Sequence, residues 1–239
     1  MNQPEAVIFD MDGVLIDSHQ CAYSVLVESL AKFNILITIE ELKLWGSLSG
    51  KQFWKKVKRK YELTEDLDFL INSYDFEKEI SYYEEIGLMS GVEKFIEMIS
   101  RNGVIMGLAT SAEMIRVNKV LSLGNIANKF SYIVSAEDVE KHKPNPECYI
   151  KICELLKVSP NQTLVIEDSN NGATAAKASG CQVAAFHGSM WQYDNFEADY
   201  HIESFNNINE LSEIWSNKKI NCTHYSSAKN RPTNNEHVI

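Results

Sequence analysis

The run Ala6-Val7-Ile8-Phe9 carries four apolar side chains and then stops on Asp10-Met11-Asp12-Gly13. Such a run reads as a buried first strand, and open α/β sheets place their chemistry just past the C-terminal ends of their strands. Side chains alternate along extended backbone, so Asp10 and Asp12 are aimed to the same side. Two carboxylates that close do not both ionise unaided: either one carboxyl is pushed up, or a cation neutralises the pair. Gly13 allows the sharp turn that follows.

The remaining strand ends decide whether this acid pair is an ordinary turn or a site. Residues 104–109, 132–134, 163–166 and 182–186 read as further strands, alternating with helical patterns at 91–99, 114–123, 146–156 and 172–179. That rhythm predicts βαβ units and a Rossmann-like parallel sheet, whose right-handed crossovers bring every strand's C-terminal end to one edge. Just past those ends stand Asp10 and Asp12, then Thr110 and Ser111, then Lys143 in Lys141-His142-Lys143-Pro144, then Glu167 and Asp168. Hydroxyls and backbone amides at a helix start hold phosphate oxygens. A lysine supplies a point charge that binds phosphate and balances the aspartates, and carboxylates are hard ligands suited to Mg2+. His19, His142, His187 and His201 are read as having no ligand role.

Between the first strand and Gly87 the pattern is helical throughout. Ser18 reads as an N-cap, followed by Ala22, Val25, Leu26, Ser29, Leu30 and Phe33 at helical spacing. Further helices are predicted at 40–44, 52–61 and, as one stretch, 65–85. The domain expectation is therefore an α/β core at 1–17 and 88–215, an inserted helical cap at 18–87, and a mobile polar tail at 216–239. A last helix carrying Ile208, Leu211, Ile214 and Trp215 precedes that tail.

Composition narrows the function. A formal net charge of −10 disfavours a nucleic-acid partner, since phosphate backbones are bound by basic surfaces. The one dense basic run, Lys51 to Lys60, reads as a solvated helix face. No apolar stretch approaches a membrane span, no basic leader precedes the first strand, and the expected location is the cytoplasm. Cys21, Cys148, Cys153, Cys181 and Cys222 lack metal or disulfide spacing and read as reduced packing residues.

The ordered set of strand-end residues, with the Lys-Pro-Asn-Pro-Glu and Glu-Asp-Ser-Asn-Asn-Gly stretches, resembles the haloacid dehalogenase-like hydrolase superfamily, in particular its phosphatase and β-phosphoglucomutase subgroup with a helical cap. The resemblance covers residues 6–215. It implies that Asp10 is a nucleophile forming an aspartyl-phosphate and that Asp12 is the general acid–base, its backbone carbonyl also facing Mg2+. It further implies that Thr110 and Lys143 hold the phosphoryl group, beside the Ser111 that the strand-end reading adds, and that Glu167 and Asp168 complete a metal site with Asp10 and Asp12. In β-phosphoglucomutases the cap loop reads Gly-Val-Ser-Arg. Here Gly46-Ser47-Leu48-Ser49 lacks the arginine, and Ala22 stands where those enzymes carry a histidine, so hydrolysis is favoured over mutase chemistry. A dehalogenase would lack the carboxylate at Asp12. A signalling receiver module would not need the helical insertion, and a catalytically silent regulator would not need the intact set. Gly46, Ser47, Ser49 and Lys51 are the candidate substrate contacts. The expectation is a monomeric phosphatase acting on a small phosphorylated metabolite, a sugar phosphate or sugar acid phosphate.

Overall fold

The structure, a computed structural model, describes residues 4–45, 50–189 and 196–207. Six strands form one parallel sheet: β1 (Ala6–Phe9), β2 (Ile105–Ala109), β3 (Tyr132–Val134), β4 (Thr163–Glu167), β5 (Gln182–Phe186) and β6 (Tyr200–Ile202), in the spatial order β3-β2-β1-β4-β5-β6. The chain steps outward from β1 in one direction and then in the other, so the topological switch lies at β1, where a doubly wound sheet leaves a crevice beyond its strand ends. The register aligns Phe9 with Leu108 on one side and Ile166 on the other. The ends of β1, β2 and β4 therefore sit level, as the alternating rhythm predicts.

Alternation sorts the β1 side chains into two layers. Val7 and Phe9 pack with Leu108, Ile166 and Phe186 against α6 (Val92–Arg101) and α7 (Met114–Leu123). Ala6 and Ile8 pack with Val165 and Val183 against α8 (Glu147–Leu156) and α9 (Asn170–Ala178). The four cysteines within the described residues, Cys21, Cys148, Cys153 and Cys181, are free thiols in these interiors.

Between β1 and α6 come α1 (Ser18–Ala31), α2 (Ile39–Trp45), α3 (Gly50–Lys60), α4 (Leu67–Asn72) and α5 (Phe76–Ile86). They enclose an apolar cluster of their own, built on Leu30, Ile35, Ile37, Leu42, Trp54, Val57 and Leu70. On α3, Trp54 and Val57 face inward while Lys51, Lys55, Lys56, Arg59 and Lys60 are exposed, which is the solvated basic face expected of that run. The chain enters and leaves this block side by side, for the Met89 amide donates to the Leu15 carbonyl at 2.8 Å.

Three expectations need correction. The stretch 65–85 is two helices rather than one, because Asp75 accepts from the Lys78 amide and starts α5 anew. Ser18 is the first helical residue and caps nothing: its hydroxyl turns to Asp12. The strand β6 carries too short an apolar signal in Tyr200-His201-Ile202 to have been read, and pairing with β5 creates it. The final helix at 208–215 and the tail at 216–239 lie outside the described residues. None of the described helices is long and apolar enough to cross a membrane.

Phe205, just past β6, stacks on Phe186 at 4.3 Å and on Phe95 at 5.0 Å between ring centres, closing the layer under α6. Phe205→Ala is expected to destabilise the fold by about 3–5 kcal/mol, the usual cost of emptying a buried phenyl site. A chemical denaturation midpoint shifted by less than a third of that would show that the stack is not a structural contact.

Candidate active site

Asp10 follows β1 directly, and its backbone amide still bonds the Ile166 carbonyl at 3.0 Å. Its carboxylate therefore leaves the sheet level with Glu167, the last residue of β4, and beside Ala109, the last of β2. Lys143 enters from the loop between β3 and α8, and its side chain is only 7% exposed. Its ammonium donates to Asp10 Oδ1 at 2.6 Å, Glu167 Oε1 at 2.8 Å and the Ala109 carbonyl at 3.0 Å. An ammonium has three protons, so every donor is used. The charge also lies 4.8 Å from the centre of the Tyr149 ring.

Among the described residues Glu167 is the most heavily bonded carboxylate. Oε1 accepts from Lys143 and from the Tyr149 hydroxyl at 2.7 Å. Oε2 accepts from the Asp168 and Ser169 amides and from the Ser169 hydroxyl, groups that open α9. Gly172 makes this approach feasible, because a Cβ there would fall 1.7 Å from Glu167 Oε1. Gly13 does the same for Asp168. It sits at φ +79°, and a Cβ would meet Asp168 Oδ2 at 1.8 Å.

Asp12 lies in the turn after β1, which is pinned by the Gly13 amide on the Ile16 carbonyl at 2.7 Å. Its Oδ1 accepts from the Ser18 hydroxyl at 2.5 Å and from Arg116 Nη2 at 3.1 Å. Thr110 is buried and its hydroxyl accepts from the Ala112 amide at 3.0 Å, while Ser111 is exposed. Neither caps α7, whose first amide is taken by the Glu137 carboxylate. These groups line a cleft of about 350 Å³ together with Ser18, His19, Ala22, Arg116, Ser169 and Asn171.

The carboxyl groups titrate apart. Burial pushes Asp10 well above the usual carboxylate range; Lys143 opposes the rise without cancelling it, and Glu167, Asp168 and Asp12 add to it. Burial pushes Asp168 up to about 6 against the opposing pull of His19, whose Nε2 lies 3.4 Å from Oδ2. Burial acts on Asp12 as well, but Arg116 and the Ser18 hydroxyl outweigh it and hold that carboxyl below its ordinary value. Lys143 is desolvated too, yet Asp10 and Glu167 keep it charged far above the ordinary lysine range. Two neighbouring acids displaced in opposite directions form a pair able to take different parts in one reaction.

Asp10, Asp12, Thr110, Ser111, Lys143, Glu167 and Asp168 thus all meet in one cleft, although they come from four separate segments. Gly46, Ser47 and Ser49 lie outside the described residues, and Lys51 sits exposed in the first turn of α3. Sequence reasoning missed Arg116, His19, Tyr149 and Glu79. Arg116 and Glu79 are polar residues on amphipathic helices, the least informative setting a sequence offers, and His19 was set aside as a lone histidine.

A family model described as haloacid dehalogenase-like hydrolase matches residues 7–186. A phosphorylated carbohydrates phosphatase of Thermotoga maritima is 30% identical over 178 residues, covering 74% of this chain and 82% of that protein. Hexitol phosphatase B of Escherichia coli K12 is 28% identical over 187 residues, covering 72% of this chain and 79% of the relative. Among solved structures, a β-phosphoglucomutase of Clostridium difficile superposes with a TM-score of 0.71 at 22% identity, covering 89% of this chain and 97% of that one, a likeness of fold. With the match spanning the sheet from β1 to β5 and every strand end that lines the cleft, the chain belongs to the haloacid dehalogenase-like hydrolase family.

Proposed function

We propose that the protein is a Mg2+-dependent phosphatase that hydrolyses a small phosphorylated metabolite, a sugar or polyol phosphate, through an aspartyl-phosphate on Asp10. The observation that carries this reading is the buried contact of Asp10 with Lys143 beside a second acid, Asp12, that has its own arginine. The names of two relatives, a phosphorylated carbohydrates phosphatase and a hexitol phosphatase, support the substrate class.

The donor set fits a divalent cation. Asp10, Glu167 and Asp168 are all buried and each offers a carboxylate oxygen within 4.8 Å of the others. Asp10 and Asp168 are the two acids that burial lifts, and added positive charge is what would let both ionise. Asp10, Asp168 and the backbone carbonyl of Asp12 would hold Mg2+, with Glu167, whose oxygens are already engaged, completing the ring of negative charge and holding Lys143. When bound, the cation supplies charge neutralisation for the phosphoryl oxygens.

In the first step a carboxylate oxygen of Asp10 bonds to phosphorus as the bond to the leaving alcohol oxygen breaks, and that oxygen takes a proton from Asp12, which the negative charge of the bound phosphate raises towards its protonated form. In the second, a water oxygen bonds to phosphorus and gives its proton to Asp12, while the bond to Asp10 breaks and the carboxylate is restored. Lys143 holds Asp10 in place and faces the same phosphoryl group, with Thr110 and Ser111 offering hydroxyl and amide donors. The helical block at 18–87 acts as a cap inserted into the core at 1–17 and 88–215. Its paired links at Leu15 and Met89 allow it to close over the strand ends and exclude water. The loop with Gly46, Ser47 and Ser49, followed by Lys51, would then select among hydroxylated substrates.

Asp10→Asn is expected to remove turnover of a panel of sugar and polyol phosphates while leaving the melting temperature within a few degrees of wild type. Turnover above a tenth of wild type would exclude Asp10 as nucleophile. Chelation should abolish wild-type activity and Mg2+ should restore it; full activity in excess chelator would remove the metal from the reading.

Metal binding should also be visible without turnover. A raised carboxyl is most comfortable protonated, so in metal-free protein Asp168 withdraws about 3 kcal/mol of stability as pH rises from its ordinary 3.8 to about 6. Protons compete with the cation for these oxygens. Mg2+ at a hundredfold excess over its dissociation constant should stabilise by about 2.7 kcal/mol at pH 7.5, and by clearly less at pH 5. Equal melting shifts at both values would show that these acids do not hold the ion.

A further inference from the structure

Glu79 on α5 is 3% exposed and lies outside the cleft, yet it is bonded three times. Tyr74 donates to Oε2 at 2.7 Å, Tyr83 to Oε1 at 2.6 Å, and Arg116 Nη2 to the same Oε1 at 2.8 Å. Arg116 Nε donates to the Tyr83 hydroxyl at 2.8 Å, closing a ring of three groups. The same Nη2 lies 3.1 Å from Asp12 Oδ1. Burying a carboxylate is costly unless it is fully bonded, so the ring has a defined product: a guanidinium on α7 bonded through Nε and Nη2, the latter also reaching Asp12.

Ser18 and Arg116 both bond Asp12 through Oδ1. Among the described residues no hydrogen bond reaches Oδ2, and the Asp12 side chain is 23% exposed in the cleft. An aspartate's terminal torsion is broad and nearly two-fold, so a carboxylate left to itself exchanges its oxygens. We propose that Arg116 is a positioning residue for Asp12, fixing Oδ1 so that Oδ2 is the atom presented to the attacking water, and that Glu79 positions Arg116 in turn. This rests on the phosphatase reading. In the step concerned, the water oxygen bonds to phosphorus, the bond to Asp10 breaks with its electron pair returning to the carboxylate, and the water proton moves to Oδ2.

The test uses nitrophenyl phosphate with Mg2+. Its leaving group departs without a proton, so kcat/KM reports phosphoryl transfer to Asp10, whereas kcat includes the water step. Arg116→Met is expected to lower kcat about 10- to 100-fold, part of what a general base contributes. KM should fall with it, so that kcat/KM drops by far less, and a burst of one nitrophenolate per enzyme should appear. Arg116→Lys should recover part of kcat, and Glu79→Gln should show the same split more weakly. If Arg116→Met does not fold, as judged by its melting curve, the latter two variants carry the same contrast. Parallel losses in kcat and kcat/KM, or no loss, in folded variants would overturn the positioning role alone. A wild-type protein that turns over no ester would overturn the phosphatase reading and the positioning role with it.

Discussion

The Lys143 ammonium is the interaction on which the interior of the site depends. It is desolvated, its three protons are all committed, and two of its three acceptors are carboxylates from different strands. Without that charge Asp10 and Glu167 would be two buried carboxyl groups side by side at the ends of neighbouring strands with no cation between them, a placement that low-dielectric surroundings make expensive for either to ionise. With it, β1, β2 and β4 are joined by a polar contact beyond the point where their ladders end. Lys143 opposes the burial that lifts Asp10 without cancelling it.

Two glycines make this charge density sterically feasible. Gly13 and Gly172 stand where any side chain would overlap Asp168 and Glu167. The backbone has been brought against the acids from both sides, one glycine in the turn after β1 and the other in the first turn of α9. Close backbone approach also supplies amides: Oε2 of Glu167 is bonded by two of them. Glu167 is thus held by main chain as much as by Lys143.

How far the sequence could be read follows from the range of each interaction. Val7, Ile8 and Phe9 are apolar in a row because both sheet faces are covered, and that signal is local, so the strand and the acids at its end were legible from residues 6–13. Thr110, Lys143 and Asp168 were legible because a parallel sheet obliges strand ends to meet. The break at Asp75 was not, since an amphipathic pattern continues through it and one side-chain cap decides the matter. Nor was the partnership of Arg116 with Asp12 and Glu79, which lie 104 and 37 residues away on elements whose spacing only tertiary packing sets. Ser18 looked like a cap because small hydroxyl residues favour helix starts, whereas its hydroxyl is drawn to Asp12 by a turn that only tertiary structure sets.

The strand order carries a consequence for synthesis. Of the six strands β1 is made before the others, but its ladder partners lie at residues 105–108 and 163–166. Until these follow, four apolar residues and the two acids behind them have no sheet to join, while the helices at 18–86 already hold a complete apolar cluster of their own among the described residues. The topology therefore sets a temporal order in which the inserted helices can consolidate before the strand that precedes them finds a place. Contacts of such long sequence separation form slowly, and β1 with the acids behind it waits for more than a hundred and fifty residues of translation before its final ladder partner arrives.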